Sequence, residues 1–235
     1  MTRTLAPIGL GWTVTDPERV RDAALKAPRW GTRQPWTLEL SGHVVRLFEY
    51  APPSALRHGA GTERLLACGA ALTNIRLAVR TAGWRTDVRF VYDRDRPDLV
   101  AVVSALEILP PTQAEAHRFA AIYGLVRTPV PRGPVSAAGL RAIVGSSWCP
   151  GVELRRIDDE GRTSFVVLTT DDARLDRVRA GAALQAACLT ARAVGLIARP
   201  VIEPLWRPGV RAGLIERLTL AGYPQALLRI ESRYP

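Results

Sequence analysis

Histidine serves in both metal binding and proton transfer, so the three histidines of this 235-residue chain are the first candidates for chemistry. They are His43, His58 and His117. A metal site on a helix usually places two ligands three or four positions apart, and none of the three has such a neighbour on a predicted helix. We therefore expect no metal site.

Other catalytic motifs are also missing from the sequence. The segment GSSW, residues 145–148, lacks the preceding strand and the nearby base that a serine hydrolase requires. No GxGxxG or GxxxxGK[ST] pattern is present for binding nucleotide phosphates. The three cysteines, Cys68, Cys149 and Cys188, have no CxxC spacing, so they indicate neither a disulfide framework nor a zinc site. We expect reduced thiols, with Cys68 and Cys188 as small core residues of long helices.

The net charge of +10 would suit a partner rich in phosphate. However, Lys26 is the only lysine, and the arginines are dispersed without long runs or interleaved aromatic residues, which is typical of a GC-rich coding bias. We therefore expect no nucleic-acid partner. The chain has neither an apolar run long enough to span a bilayer nor a signal-peptide pattern at its start, which predicts a cytoplasmic protein without membrane contact.

Helical and extended patterns alternate along the chain, which is 47% hydrophobic, and this predicts one domain of α+β or α/β class. The first part of the chain has a predicted helix from Asp16 to near Pro28, a hairpin turning at Ser41-Gly42, a long helix from about Glu63, strands 86–93 and 99–108, and a helix capped by Thr112. A short helix, 136–144, follows. The last part has predicted strands 152–158 and 163–171, a long helix 173–194, a strand 196–204, a helix 207–222 and a strand 223–235.

The two long helices look like copies of each other at an offset of 112 positions. The matched residues are Gly69 with Gly181, Ala70 with Ala182, Ala71 with Ala183, Leu72 with Leu184, Leu77 with Leu189, Arg80 with Arg192, and Gly83 with Gly195. Glycine inside a helix costs up to about 1 kcal/mol relative to alanine, and close packing of two such helices would offset that cost. The pattern favours an internal duplication, although alanine-rich helices can also resemble each other by chance.

Four segments, in order, carry a resemblance to a known family. They are QPWTLELSGHVVRLFEY, ERLLACGAALTNIRLAVRTAGW, FVVLTTDDARLDRVRAGAALQAACLTARAVGLIARPVIEP and LAGYPQALLRI. Together they resemble the Acg-type branch of the nitroreductase superfamily, found in actinobacteria, over about residues 18–230. The resemblance implies an α+β nitroreductase-like fold of two fused half-repeats, an intramolecular pseudo-dimer around the two long helices. The implied boundaries are half-repeat 1 at about 16–125, a connector at about 126–150 and half-repeat 2 at about 151–235.

The same resemblance implies a flavoprotein oxidoreductase with FMN bound at the interface between halves. NAD(P)H would be the reductant and a small molecule the acceptor. No residue is expected to act as an essential acid or base, because flavin itself performs hydride transfer. The alternative function is a degenerate, non-catalytic relative that sequesters flavin or binds another ligand or partner.

Candidate flavin contacts follow from the family pattern Pro-Ser-x-x-Asn-x-Gln-Pro-Trp, which here reads PRWGTRQPW, residues 28–36. Arg29 replaces the serine and Thr32 replaces the asparagine. Trp36 has two possible roles, as an apolar wall or as a core residue. The cofactor-binding residues that the resemblance implies are Thr32, Arg33, Gln34, Trp36, Arg127, Thr128, Arg229 and Arg233.

The interval before the strand SFVVLTT is shorter than in the family, which leaves too few residues for the helices and the lid that cover the flavin there. Either the flavin is more exposed here, or the pocket is lost. A third possibility is that a partner subunit supplies the cover, so that the protein is a homodimer instead of a monomeric pseudo-dimer.

Overall fold

The computed structural model describes residues 16–30, 34–50, 60–125, 135–159 and 162–231. These residues form six α-helices and eight strands. The helices are α1 Asp16–Leu25, α2 Ala60–Thr81, α3 Gln113–Ile122, α4 Ala137–Val144, α5 Arg174–Ala193 and α6 Pro208–Leu218. The strands are β1 Trp36–Ser41, β2 Val44–Glu49, β3 Trp84–Phe90, β4 Leu99–Ile108, β5 Val152–Asp159, β6 Arg162–Thr169, β7 Ile197–Val201 and β8 Tyr223–Glu231. A 3₁₀ turn, Glu203–Trp206, follows β7.

The strands form two four-stranded sheets, and all of their pairings are antiparallel. The first sheet has the order β1-β2-β4-β3 and the second has the order β5-β6-β8-β7. The two orders are equivalent, and each sheet includes the strands on both sides of one long helix. Antiparallel pairing assigns the chain to the α+β class that the sequence analysis expected.

The two long helices pack against each other at their glycines. A Cβ on Gly69 would overlap the carbonyl oxygen of Val178 and lie 2.6 Å from the backbone nitrogen of Ala182. A Cβ on Gly181 would lie 2.6 Å from the Cα of Leu66. Only glycine allows two helix backbones to come this close. The close packing predicted from the glycine positions is therefore confirmed.

Polar side chains reinforce this helix contact. The hydroxyl of Thr73 donates a hydrogen bond of 2.8 Å to the carbonyl of Ala182. The amide of Gln185 donates to Asn74 at 3.0 Å, and Asn74 in turn donates to the carbonyl of Ala23 in α1 at 2.9 Å. These buried groups have partners in a different helix, so α1, α2 and α5 are held in one register.

Each sheet and its long helix enclose a hydrophobic core. The first core includes Val45, Leu47, Leu72, Ile75 and Val103. The second core includes Phe165, Val167, Leu184, Ala187 and Leu228. The opposite face of the second sheet is also covered, because Val166 and Leu168 of β6 pack against Leu214 of α6. Both faces of β6 are thus buried, which explains its continuous apolar sequence.

A buried ion pair attaches α3 to the end of α2. Thr112 caps α3 as predicted, and Glu115 completes the capping box by accepting a hydrogen bond from the backbone nitrogen of Thr112 at 2.9 Å. Arg80 donates to both carboxylate oxygens of Glu115, at 2.9 and 3.0 Å. It also donates to three backbone carbonyls at 2.8 to 2.9 Å, those of Trp84, Leu109 and Pro110. Every N–H group of this guanidinium is therefore used.

The Arg80–Glu115 pair predicts a loss of stability in acid. Burial alone would raise the pKa of Glu115, but the hydrogen bonds from Arg80 and Thr112 lower it from 4.5 to about 2. A lowered folded-state pKa stabilises the protein above pH 4.5, and this contribution disappears as the pH falls towards 2. Protonation of Glu115 should lower the free energy of unfolding by on the order of 2 kcal/mol, a figure that is smaller than the full pKa shift implies because solvent screens the interaction.

The measurement is urea unfolding of the wild type and of Glu115→Gln between pH 2 and pH 6. The wild type should be more stable at pH 6, and the difference should shrink steadily below pH 4.5 because the glutamine does not titrate. A difference that stays constant over this range would contradict the assignment.

Element boundaries differ from the predicted ones at turns. The first hairpin turns at Gly42-His43 and not at Ser41-Gly42, because Gly42 takes a φ of +52° that suits the first turn position. The strand predicted to extend to residue 204 ends at Val201.

Among the described residues, none of the helices is long and apolar enough to cross a bilayer.

Candidate functional site

Three of the eight predicted flavin contacts, Gln34, Trp36 and Arg229, belong to the described part of the chain. The others lie outside the described residues, and their roles stay predictions. They are Thr32, Arg33, Arg127, Thr128 and Arg233.

Trp36 begins β1, and its side chain belongs to the first core with an exposed fraction of 2%. Of the two roles considered for it, core packing is the one observed. Its indole nitrogen is buried without a hydrogen-bond partner among the described residues. Gln34 lies beside it, and its amide nitrogen donates to the carbonyl of Trp36 at 3.1 Å. One hydrogen bond of the Gln34 side-chain amide is therefore used to hold the start of β1.

Arg229 belongs to β8, where it alternates with Leu228 and Ile230 of the second core. Its side chain consequently points to the other face of the second sheet, the face covered by α6. Arg199 of β7 lies directly opposite Arg229 in the register, and Arg199 is paired with Glu231 at 2.8 Å. Arg229 lies in the second sheet and Gln34 lies just before the first strand of the first sheet. A shared ligand for them stays a prediction.

The segment that leads into β1 is attached to the start of α2. The carbonyl of Pro35 accepts hydrogen bonds from the backbone nitrogen of Tyr50 at 2.8 Å and from the thiol of Cys68 at 3.5 Å. Arg64 lies one helical turn before Cys68, on the same face of α2. Trp36 pairs with Glu49 in the sheet register, which brings Glu49 to the same place.

Glu49 joins the two long helices electrostatically. Arg64 of α2 donates to one of its carboxylate oxygens at 3.1 Å, and Arg174 at the start of α5 donates to the other at 3.0 Å. All three side chains are partly buried, with exposed fractions of 13% for Glu49 and Arg64 and 26% for Arg174. Two guanidinium groups on one carboxylate leave an excess positive charge at this point. We call Glu49, Arg64 and Arg174 the junction cluster.

The junction cluster also has an unused donor. The Nη1 atom of Arg64 is buried and has no hydrogen-bond partner among the described residues. A buried donor on a charged group costs free energy unless an acceptor reaches it. Excess positive charge and a free donor together suit an anionic or carbonyl-bearing ligand. Arg64 and Arg174 lie in no sequence motif and their shared carboxylate is remote in sequence, so no local signal indicates their role.

Trp30 lies in the segment just before the undescribed residues 31–33. Its backbone has a φ of +40°, which is uncommon for a residue with a side chain. The indole is half-buried and packs against both the first core and the second core. Trp30 thus lies where the two sheet-and-helix units meet.

Three described residues carry the groups that a flavin phosphate ester requires. Such a ligand needs hydrogen bonds for its ring edge, cations for its phosphate and an apolar surface for its ring. Gln34 supplies an amide, Arg64 supplies a guanidinium with a free donor, and Trp30 supplies a half-buried aromatic ring.

Thiol chemistry does not fit the site. Burial raises the pKa of Cys68 well above its usual range, and it raises the pKa of Cys149 and of Cys188 to about 12. A thiol in this state carries almost no thiolate, the nucleophilic form, at neutral pH. All three cysteines are free, in agreement with the reduced state expected from the sequence.

A separate pocket of about 250 Å³ opens on the second sheet. It is lined by Gly151–Glu153 at the start of β5, by Leu168–Thr170 at the end of β6 and by Ala221. Of the predicted flavin contacts in the described part of the chain, Gln34, Trp36 and Arg229, none lines this pocket.

Comparison with known proteins identifies two relatives, although no protein-family model matches the chain. Each is named "Putative NAD(P)H nitroreductase", and they come from two strains of Mycobacterium tuberculosis. Each is 27% identical to this chain, and the similarity covers 95% of the chain and 88% of the relative. The chain is thus a distant relative of proteins named as nitroreductases, which supports the resemblance to that superfamily.

The alignment with each relative is longer than this chain. It extends over 314 positions, whereas the chain has 235 residues. The relatives therefore contain stretches that have no counterpart in this chain.

Proposed function

We propose that this protein is an FMN-dependent oxidoreductase of nitroreductase type that passes electrons from NAD(P)H to a small-molecule acceptor in the cytoplasm. The observation that carries this proposal is the similarity to the two mycobacterial relatives, which extends over 95% of the chain. The junction cluster adds independent support, because it offers an anionic ligand a cation with a free donor.

The proposed architecture is an internal duplication, with two half-repeats that form a pseudo-dimer within one chain. This is supported by the equivalent strand orders of the two sheets and by the close contact of α2 with α5 at Gly69 and Gly181. A monomer is then sufficient to build the core. Size-exclusion chromatography with light scattering distinguishes this from a homodimer.

We place the flavin beside the junction between the half-repeats. Bound FMN would supply hydride and electron transfer at this place. Arg64 would bind the phosphate group, Glu49 would hold Arg64 in position, and Gln34 would donate to the ring edge. Thr32, Arg33, Arg127, Thr128, Arg229 and Arg233 remain proposed contacts from the family resemblance.

The first test is a visible absorbance spectrum of the freshly purified protein, followed by chromatography of what denaturation releases. We expect a flavin band and release of FMN close to one per chain. A protein that is colourless, and stays so after incubation with excess FMN and gel filtration, would exclude the proposal. Steady-state oxidation of NADH and NADPH follows on the loaded protein.

Arg64 provides a more specific prediction. Replacing it with glutamine removes the charge, and we expect about tenfold weaker binding of FMN, the effect of one lost charged hydrogen bond. Riboflavin lacks the phosphate, so its affinity should be nearly unchanged. Fluorescence titration with both flavins measures the two affinities. Arg155→Gln, which removes a surface arginine paired with Glu153, is the matched control. An equal loss of affinity for FMN and for riboflavin would exclude phosphate binding by Arg64.

The second candidate function is flavin sequestration without turnover. It is favoured by the stretches of the relatives that have no counterpart in this chain, since these would include the cover of the flavin. Both candidates predict bound FMN. Only the oxidoreductase predicts that NAD(P)H bleaches the flavin band anaerobically and that an added quinone or nitroaromatic compound restores it.

A further inference from the structure

The backbone of Trp30 has a strained conformation that its surroundings must hold. Among the described residues, Thr219 is the only other non-glycine residue with a positive φ, and it ends α6, where this conformation is common. Trp30 has no such position, because α1 already ends at Leu25. Strain of this kind persists when the surrounding structure over-determines it, and it is often found at ligand sites.

The side chain explains what holds this conformation. The indole of Trp30 packs against both large cores, and among the described residues it is the one partly buried hydrophobic side chain that does so. The rest of the ring remains accessible at the junction, four residues before Gln34. The strained backbone therefore presents a half-buried aromatic ring at the place where the two half-repeats meet.

The other tryptophans with described side chains are already engaged. Trp36 is fully buried in the first core. Trp148 has the guanidinium of Arg76 over its ring at 5.0 Å and stacks on Phe90 at 6.2 Å. Trp84 makes an edge contact with the ring of His43 at 4.8 Å. By contrast, no aromatic ring or cation among the described residues stacks on Trp30, and its side chain is only partly buried.

We infer that Trp30 is the aromatic wall against which the isoalloxazine ring of the flavin stacks, a role that the family pattern would give to Trp36. This inference rests on the proposed function, since it assumes that FMN binds at the junction. Planar aromatic ligands bind by offset stacking on an accessible indole face, and a tryptophan provides the largest such surface. The cation of the junction cluster and the indole of Trp30 would then hold the two ends of one ligand.

The experiment is FMN titration of the apo-protein and of three variants, Trp30→Phe, Trp30→Ala and Trp30→Gly. We expect about tenfold weaker FMN binding in the alanine and glycine variants, and a smaller loss in the phenylalanine variant, since loss of one stacked ring corresponds to roughly that factor. Tryptophan fluorescence should be quenched strongly by FMN in the wild type and much less in Trp30→Phe. Trp84→Phe, which removes an indole from the first core, is the matched control and should bind FMN like the wild type.

The glycine variant separates the ring from the backbone strain, because glycine adopts a positive φ without cost. If Trp30→Gly bound FMN as tightly as the wild type, the inference would be overturned while the proposed function stood. The same holds if the quenching in Trp30→Phe matched that of the wild type. If the wild type bound no FMN at all, both the inference and the proposed function would be overturned. Melting temperatures of all variants identify any that fail to fold, and the conservative Trp30→Phe then decides the result.

Discussion

Replacement of Gly69 by alanine is expected to lower the free energy of unfolding by about 3 kcal/mol, and the melting temperature by about 10 °C. The new Cβ would overlap the carbonyl oxygen of Val178 and approach the backbone nitrogen of Ala182 to 2.6 Å. Both contacts are with backbone, so no side chain can rotate away. The two long helices would have to separate, which also weakens the bond from Thr73 to Ala182.

Gly213→Ala is the matched control for this prediction. Gly213 also lies inside a helix, α6, but a Cβ added to it would have no neighbouring atom within 4 Å. Alanine has the higher helix propensity, so this variant should be as stable as the wild type or more stable by up to about 1 kcal/mol. Thermal unfolding followed by circular dichroism measures both. If Gly69→Ala and Gly213→Ala behaved alike, the close approach of α2 and α5 would be refuted.

Replacement of Arg80 by alanine should be at least as damaging, with an expected loss of about 3 to 5 kcal/mol. The change removes five hydrogen bonds and leaves the carboxylate of Glu115 buried without its main partner. Lysine should restore little, because an ammonium group cannot reproduce the planar arrangement of five donors. Urea unfolding of Arg80→Ala and Arg80→Lys measures the loss.

The control for Arg80 is Arg85→Ala. Arg85 also pairs with a glutamate, Glu107, but about half of each side chain is exposed. Ion pairs on the surface contribute at most about 1 kcal/mol, so this variant should unfold close to the wild type. If Arg80→Ala and Arg85→Ala lost similar free energies of unfolding, burial of the Arg80–Glu115 pair would not explain how much that pair contributes to stability.

Most of the secondary structure was predictable from local sequence, because its signals act within a few residues. Thr112 precedes a polar helix start with glutamate three residues later, and this capping box is present in the structure. The alternating and apolar patterns predicted the eight strands with errors only at their ends. Turn positions were less predictable, as at Gly42, because neighbouring residues compete for the conformation with positive φ.

The candidate site was predictable only in part. The family resemblance led to Gln34 and Trp36, but Trp36 lies in the first core. It gave no reason to select Arg64 or Arg174, whose shared partner Glu49 lies 15 residues before one and 125 before the other. Contacts over such separations depend on how β2, α2 and α5 pack together, and no local signal specifies them.

The two long helices show the same limit of what can be predicted from local sequence. Arg80 and Arg192 occupy matched positions at the ends of the two long helices, yet Arg80 is buried with five hydrogen bonds, whereas Arg192 is exposed and donates to Ala121. The sequence by itself determined where helices and strands form and which glycines allow two helices to meet, because propensity and side-chain volume are local properties. The tertiary structure alone decided which arginines are buried, which tryptophan side chains stay partly exposed and where positive charge accumulates. Those properties depend on neighbours that are distant in sequence.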